Sequence, residues 1–208
     1  MRTKPWWSQA DERLLGAVLG LAVLLVGFFG VLAPALGVVG LVDPVDTREV
    51  EVDTGTTAPV PDTVADAAAG HGMTLTGTHR ADLVLTDPDP GERLLLALPE
   101  FVDSLLLLLV LVLLLQIART LRGGDVFVPR NARRLSVMGI VVLVQGVLSP
   151  MLLSFTTQEL VSGTPLADLI PVSATFSGEY VLLALLVLAL SEVFRRGTKL
   201  RADTEGLV

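Results

Sequence analysis

Glu179 has the type and surroundings that most invite a chemical role. It is the only Asp, Glu, Lys or Arg between Leu169 and Ser191. An ionisable group inside an apolar helix is costly and normally faces protein or water. At 1.5 Å per residue, a helix starting at Leu169 carries Glu179 about 15 Å inward. No Lys or Arg lies in the apolar blocks at that depth. Burial then favours the neutral acid, which both donates and accepts hydrogen bonds. Gln145 lies in the uncharged run Leu135 to Gln158. Antiparallel neighbouring helices bring it to a similar depth, so Glu179 and Gln145 form a candidate intramembrane polar pair. Such a pair acts either as a proton- or ligand-sensitive switch or as an interhelical bond that sets packing.

The remaining candidates are weaker. Glu100 and Asp103 have the spacing of paired carboxylates, but both fall where a helix starting at Pro99 has its first turn, and its dipole favours acids there. His71 and His79 lack the ligand spacing of a metal site. There is no cysteine, which excludes disulfides, thiolate metal sites and a Cys nucleophile. No phosphate-binding glycine loop, zinc motif or serine elbow is present. We therefore expect no enzyme, cofactor or metal centre.

The elements that position these residues are set by apolar blocks. The chain has 208 residues, 51% of them hydrophobic. Leu14 to Val42, Ser104 to Ala118 and Leu135 to Gln158 contain no Asp, Glu, Lys or Arg. A spanning helix needs about 20 mostly apolar residues. The blocks predict an all-α transmembrane fold: a four-helix membrane bundle with a small extracytoplasmic β-containing insertion between helices 1 and 2. The expected spans are 14–42, 99–120 within a segment 93–120 that opens on a short amphipathic helix, 135–158 and 169–191. The first block is nearly twice the roughly 7–15 apolar residues of a signal peptide, so it reads as a retained helix. Gly16 and Gly20 give that helix a small-residue pair that permits close approach. Trp6 and Trp7 precede it as interfacial anchors.

Loop charge orients the spans. The 121–134 loop and its approach hold Arg119, Arg122, Arg130, Arg133 and Arg134 against Asp125. Segment 43–92 holds eleven acids against Arg48 and Arg80. Positive residues stay inside, so 1–13, 121–134 and 192–208 are expected in the cytoplasm, and 43–92 and 159–168 outside. The outer segment shows strand patterning at Arg48 to Asp53, at Met73 to Thr78 and at Asp82 to Thr86. A hairpin about Gly77 is one expected pairing. At least two short antiparallel strands are expected within 46–87, over the helix ends.

Two stretches on the basic side carry a resemblance. Gly124-Asp125-Val126-Phe127-Val128-Pro129-Arg130-Asn131-Ala132-Arg133-Arg134-Leu135 enters the third helix. Glu192-Val193-Phe194-Arg195-Arg196-Gly197-Thr198-Lys199-Leu200-Arg201 leaves the fourth. With the Asp87-Pro88 turn and the run Arg93 to Pro99, they resemble the bacterial DUF2975 family of four-helix membrane proteins from Asp87 onward. The resemblance implies a multi-pass protein of the bacterial cell membrane that partners a cytoplasmic helix-turn-helix regulator. It singles out Phe127, Asn131, Arg133, Arg134, Phe194, Arg195 and Arg196 as a candidate interaction motif. Phe127 is expected to tuck against the helix ends, and Asn131 to begin or cap the third helix. The alternative is a structural or accessory subunit of a larger membrane complex. In either case the lipid bilayer is a partner. The basic segments are too short to be a DNA-binding domain.

Overall fold

The computed structural model describes residues 9–42, 46–51, 80–122, 128–171 and 173–205, with side chains for 14–42, 46–51, 80–121, 128–171 and 173–200. His71, His79, Phe127, Trp6, Trp7 and the Met73 to Thr78 run lie outside these residues.

Helix α1 comprises an α-helical part Gln9–Leu25, a π-helical part Val26–Leu32 and a last α-helical part Ala33–Val38. The wide turns precede Pro34, which has no N–H for an i−4 carbonyl. The Ala33 N–H reaches Phe28 O instead. Gly40, at φ +78°, ends the helix. Its N–H bonds Gly37 O and the Leu41 N–H bonds Leu36 O. This closure uses the left-handed conformation that glycine adopts without a Cβ clash.

Strands β1 (Thr47–Glu51) and β2 (Arg80–Val84) pair antiparallel, with Arg48 opposite Leu83 and Val50 opposite Ala81. β1 alternates exposed and buried, and Val50 and Leu83 pack on Val161 and Ile170 beside the helices. The expected sheet over the helix ends is present.

Helix α2 runs unbroken over Pro90–Arg122. Its start is set by Pro90 and by a reciprocal pair of bonds. The Glu92 N–H donates to Asp89 Oδ1 at 2.8 Å, and the Asp89 N–H donates to Glu92 Oε2 at 2.9 Å. This is a capping box. The helix therefore starts well before Pro99 and passes through it, so Glu100 and Asp103 lie in its third and fourth turns, not the first. Helix α3 covers Pro129–Val161. Helix α4 covers Gly178–Glu205.

Each helix packs chiefly on its neighbour in sequence: α1 on α2, α2 on α3, α3 on α4. Among the described residues three helices are long and apolar enough to cross a membrane: Leu14–Val38, Pro90–Leu121 and Pro129–Val161. The fourth apolar block behaves differently from expectation. A short 3₁₀ turn at Pro165–Asp168 and non-helical backbone through residues 173–177 precede α4. Pro171, Ser177 and Gly178 are poor helix continuers, and Gly178 opens α4. The uncharged helical stretch is then Tyr180 to Ser191, about 18 Å long against a hydrocarbon core of about 30 Å.

Candidate functional site

The short α4 leaves the part of α3 beyond Gly146 packed on α2 but without α4 as a neighbour. Tyr180 Cβ sits 2.5 Å from where a Cβ on Gly146 would lie, so α4 begins beside Gly146. Between that level and Val161, α3 faces β1 and the non-helical residues Pro171, Ser173 and Thr175. Ser154 Oγ donates to Ser173 O at 2.5 Å and holds that chain alongside. The space enclosed is a recess of about 530 Å³ lined by Arg48, Glu100, Pro150, Ser154, Thr157 and Thr175, among others.

Arg48 is the centre of this end. Alternation along β1 puts it on the same face as Val50, toward the helices, where it is only 8% exposed. Its Nη1 donates to Thr156 Oγ1 at 2.8 Å and to Thr157 Oγ1 at 3.2 Å. Its Nη2 donates to Leu95 O at 2.7 Å and to Leu96 O at 2.8 Å. One strand residue thus bonds both α2 and α3. Pro99 supplies the reason for the acceptors. It has no N–H to give to Leu95 O, four residues earlier, and a buried carbonyl without a donor is costly. The guanidinium supplies that donor.

Among the described residues Arg48 has no ion pair. Burial lowers its pKa from the usual value, and the Glu100 carboxylate acts in the opposite direction. A guanidinium stays charged throughout, so the site holds a permanent cation on neutral oxygens. Above it, exposed Arg80 and Glu49 pair across the strands at 3.2 Å. Asp103, one turn further along α2, accepts a short hydrogen bond from Ser149 Oγ of α3.

The opposite end of the helix pair is tied by Asn131. It is fully buried and lies in the first turn of α3. It does not cap the helix: Val128 holds the N-cap position and Pro129 follows it, so the proline sets the start. Asn131 Oδ1 lies 2.9 Å from Thr120 Oγ1 of α2 and accepts from Arg134 Nη1 at 3.2 Å. Thr120 also reaches Ile117 O, and Arg134 Nη1 also reaches Gln116 O. Phe194 packs against the cluster of Ile117, Leu135 and Met138. Arg195 and Arg196 both pair with Glu192. Arg133 is exposed.

The expected Glu179–Gln145 pair does not form. Glu179 is exposed in the first turn of α4, and its N–H donates to Ser177 Oγ at 3.3 Å. Gln145 is half-buried, and among the described residues no hydrogen bond joins the two. Because α4 starts at Gly178, Glu179 occupies the positive end of a helix dipole rather than a helix interior. Gly20 has open space beside it, while Gly30 makes the close approach, against Ser104 of α2.

Sequence reasoning missed Arg48 because it entered as a loop charge and as a strand position, never as a buried side chain. Two signals were available: its place on the apolar face of an alternating strand, and Pro99 four residues beyond Leu95.

The profile of the family described as "Protein of unknown function (DUF2975)" matches residues 89–208, more than half of the chain. Neither a curated protein nor a solved structure matches the chain. The matched segment contains all four oxygens that hold Arg48, while Arg48 itself lies before it.

Proposed function

The chain belongs to the DUF2975 family, and from that premise we propose that it is a multi-pass sensory or regulatory protein of the bacterial cell membrane. Its three long helices and the fourth apolar block, of which α4 forms the inner part, make up a spanning unit with the arginine-rich end and both termini in the cytoplasm. The sheet and the recess face outside. The partner is a cytoplasmic regulator, of the helix-turn-helix type that the family resemblance implies. The role is binding and relay rather than catalysis.

The observation that carries this reading is the Arg48 clamp. It fastens the outer strand to α2 and α3, the same two helices that Thr120, Asn131 and Arg134 fasten at the other end. A ligand entering the recess changes the environment of Arg48, which joins β1 to both helices. Any resulting shift of α2 against α3 reaches the arginine end through two helices of 33 residues each. Loop charge supports the orientation.

A pull-down of the full chain in mild detergent tests the role. Recovery of a helix-turn-helix protein, in an amount altered by Arg48→Ala, is the expected result. Recovery of large membrane subunits unaffected by that substitution favours an accessory subunit. One observation supports that second reading: α1 packs chiefly on α2 and exposes Leu14, Val18, Leu21, Leu24, Phe28 and Phe29. Reporters inserted near Gly124 and Gly55 should lie on opposite sides; finding both on one side rejects the topology.

A further inference from the structure

We propose that the groove between α2 and α3 at the arginine end binds an anionic glycerophospholipid, its phosphate on the arginines and an acyl chain along the helices. The groove, about 210 Å³, is lined by Arg130, Arg133, Arg134, Leu113 and Val137. Arg130, Arg133, Arg134 and Val137 fall at i, i+3, i+4 and i+7, so they share one face of α3. The cations occupy the first turns, and the lining turns aliphatic one turn later. The spacing from Arg130 to Val137 is about 10 Å, the interval over which a lipid passes from headgroup to hydrocarbon. The apolar track continues beyond the groove through exposed Ile140 and Val144 on α3 and Leu109 on α2.

The arginines are available for an anion. Among the described residues Arg130 and Arg133 form no ion pair. Arg134 is held by two neutral oxygens, Gln116 O and Asn131 Oδ1, so it is positioned without being neutralised. The N-cap residue Val128 brings no side-chain oxygen to the helix start, whose dipole also favours an anion. Arg195 and Arg196 provide the internal contrast, since Glu192 already pairs with both. Basic recesses between membrane helices at the headgroup level suit anionic lipid. The aliphatic wall distinguishes this site from one for a free anion or for an acidic protein. The proposal holds whichever leaflet the arginine end faces.

The test is native mass spectrometry of the purified full chain titrated with phosphatidylglycerol or phosphatidylcholine. Phosphatidylglycerol should bind at least tenfold more tightly. Replacing both Arg130 and Arg133 by Gln should weaken it about thirty-fold, from roughly fivefold per arginine at a membrane surface. Val137→Trp obstructs the aliphatic wall with every charge intact and should also weaken it several-fold; it decides the matter if the double variant fails to fold. Replacing Arg195 and Arg196 by Gln should change nothing. Equal binding of the two lipids overturns the proposal. So does displacement by inorganic phosphate together with indifference to Val137→Trp, which marks a free-anion site. Recovery of an acidic protein in place of lipid, lost in the double variant, overturns it in favour of protein docking.

Discussion

At one end of the α2–α3 pair a single strand residue, Arg48, supplies four hydrogen bonds to both helices. At the other end the bonds are shared among Asn131, Thr120 and Arg134, each within one of the helices being joined. The difference is one of redundancy. Removing Arg48 leaves Leu95 O without the donor that Pro99 cannot provide. Removing the Asn131 amide leaves Thr120 its bond to Ile117 O and Arg134 its bond to Gln116 O. A buried group left unpaired costs more than a lost bond whose partners remain satisfied. The sheet end therefore rests on one side chain, and the arginine end on several.

Arg48→Ala should have the largest effect, a loss of about 3–4 kcal/mol from an orphaned carbonyl and several charge-assisted bonds. Thermal unfolding in detergent would measure it, and proteolysis of the outer segment should accelerate. Arg48→Lys keeps the charge but not the fork of donors, so it should recover only part of the loss. Asn131→Ala should cost less, about 1–3 kcal/mol, chiefly from the void at a fully buried position. If it proves the more damaging of the two, the redundancy argument fails.

Gly146→Ala sharpens where α4 begins. The added carbon meets Tyr180 Cβ and Cγ, and overpacking of this kind costs about 1–3 kcal/mol. Gly20→Ala meets open space inside a helix and should be neutral or stabilising by up to about 1 kcal/mol. Equal effects at the two glycines would contradict the placement of α4 against Gly146. Glu179→Gln should have the smallest effect, within about 0.5 kcal/mol, because the side chain is exposed at a helix start. A large destabilisation there would restore a buried role for that carboxylate.

Much of the architecture follows from the sequence by itself. The apolar blocks at Leu14, Ser104 and Leu135 place three helices long and apolar enough to cross a membrane, because hydrocarbon thickness sets a length that composition alone can meet. Alternation at Arg48 to Asp53 places a strand, and a second strand near Asp82 was legible too, but as one arm of a hairpin about Gly77; that it pairs with β1 came from the structure. The family resemblance from Asp87 onward coincides with the matched segment. Tertiary structure decided the rest. An apolar run does not say where a helix begins inside it, and α4 starts nine residues into the Leu169 block, after non-helical chain that Ser154 of α3 ties down at Ser173. That removed Glu179 from a helix interior. Whether a loop arginine solvates or turns inward depends on an acceptor set assembled from residues 95, 96, 156 and 157. Those positions converge only when α2 and α3 pack side by side beneath β1; the strand alternation and Pro99 mark the partners without bringing them together.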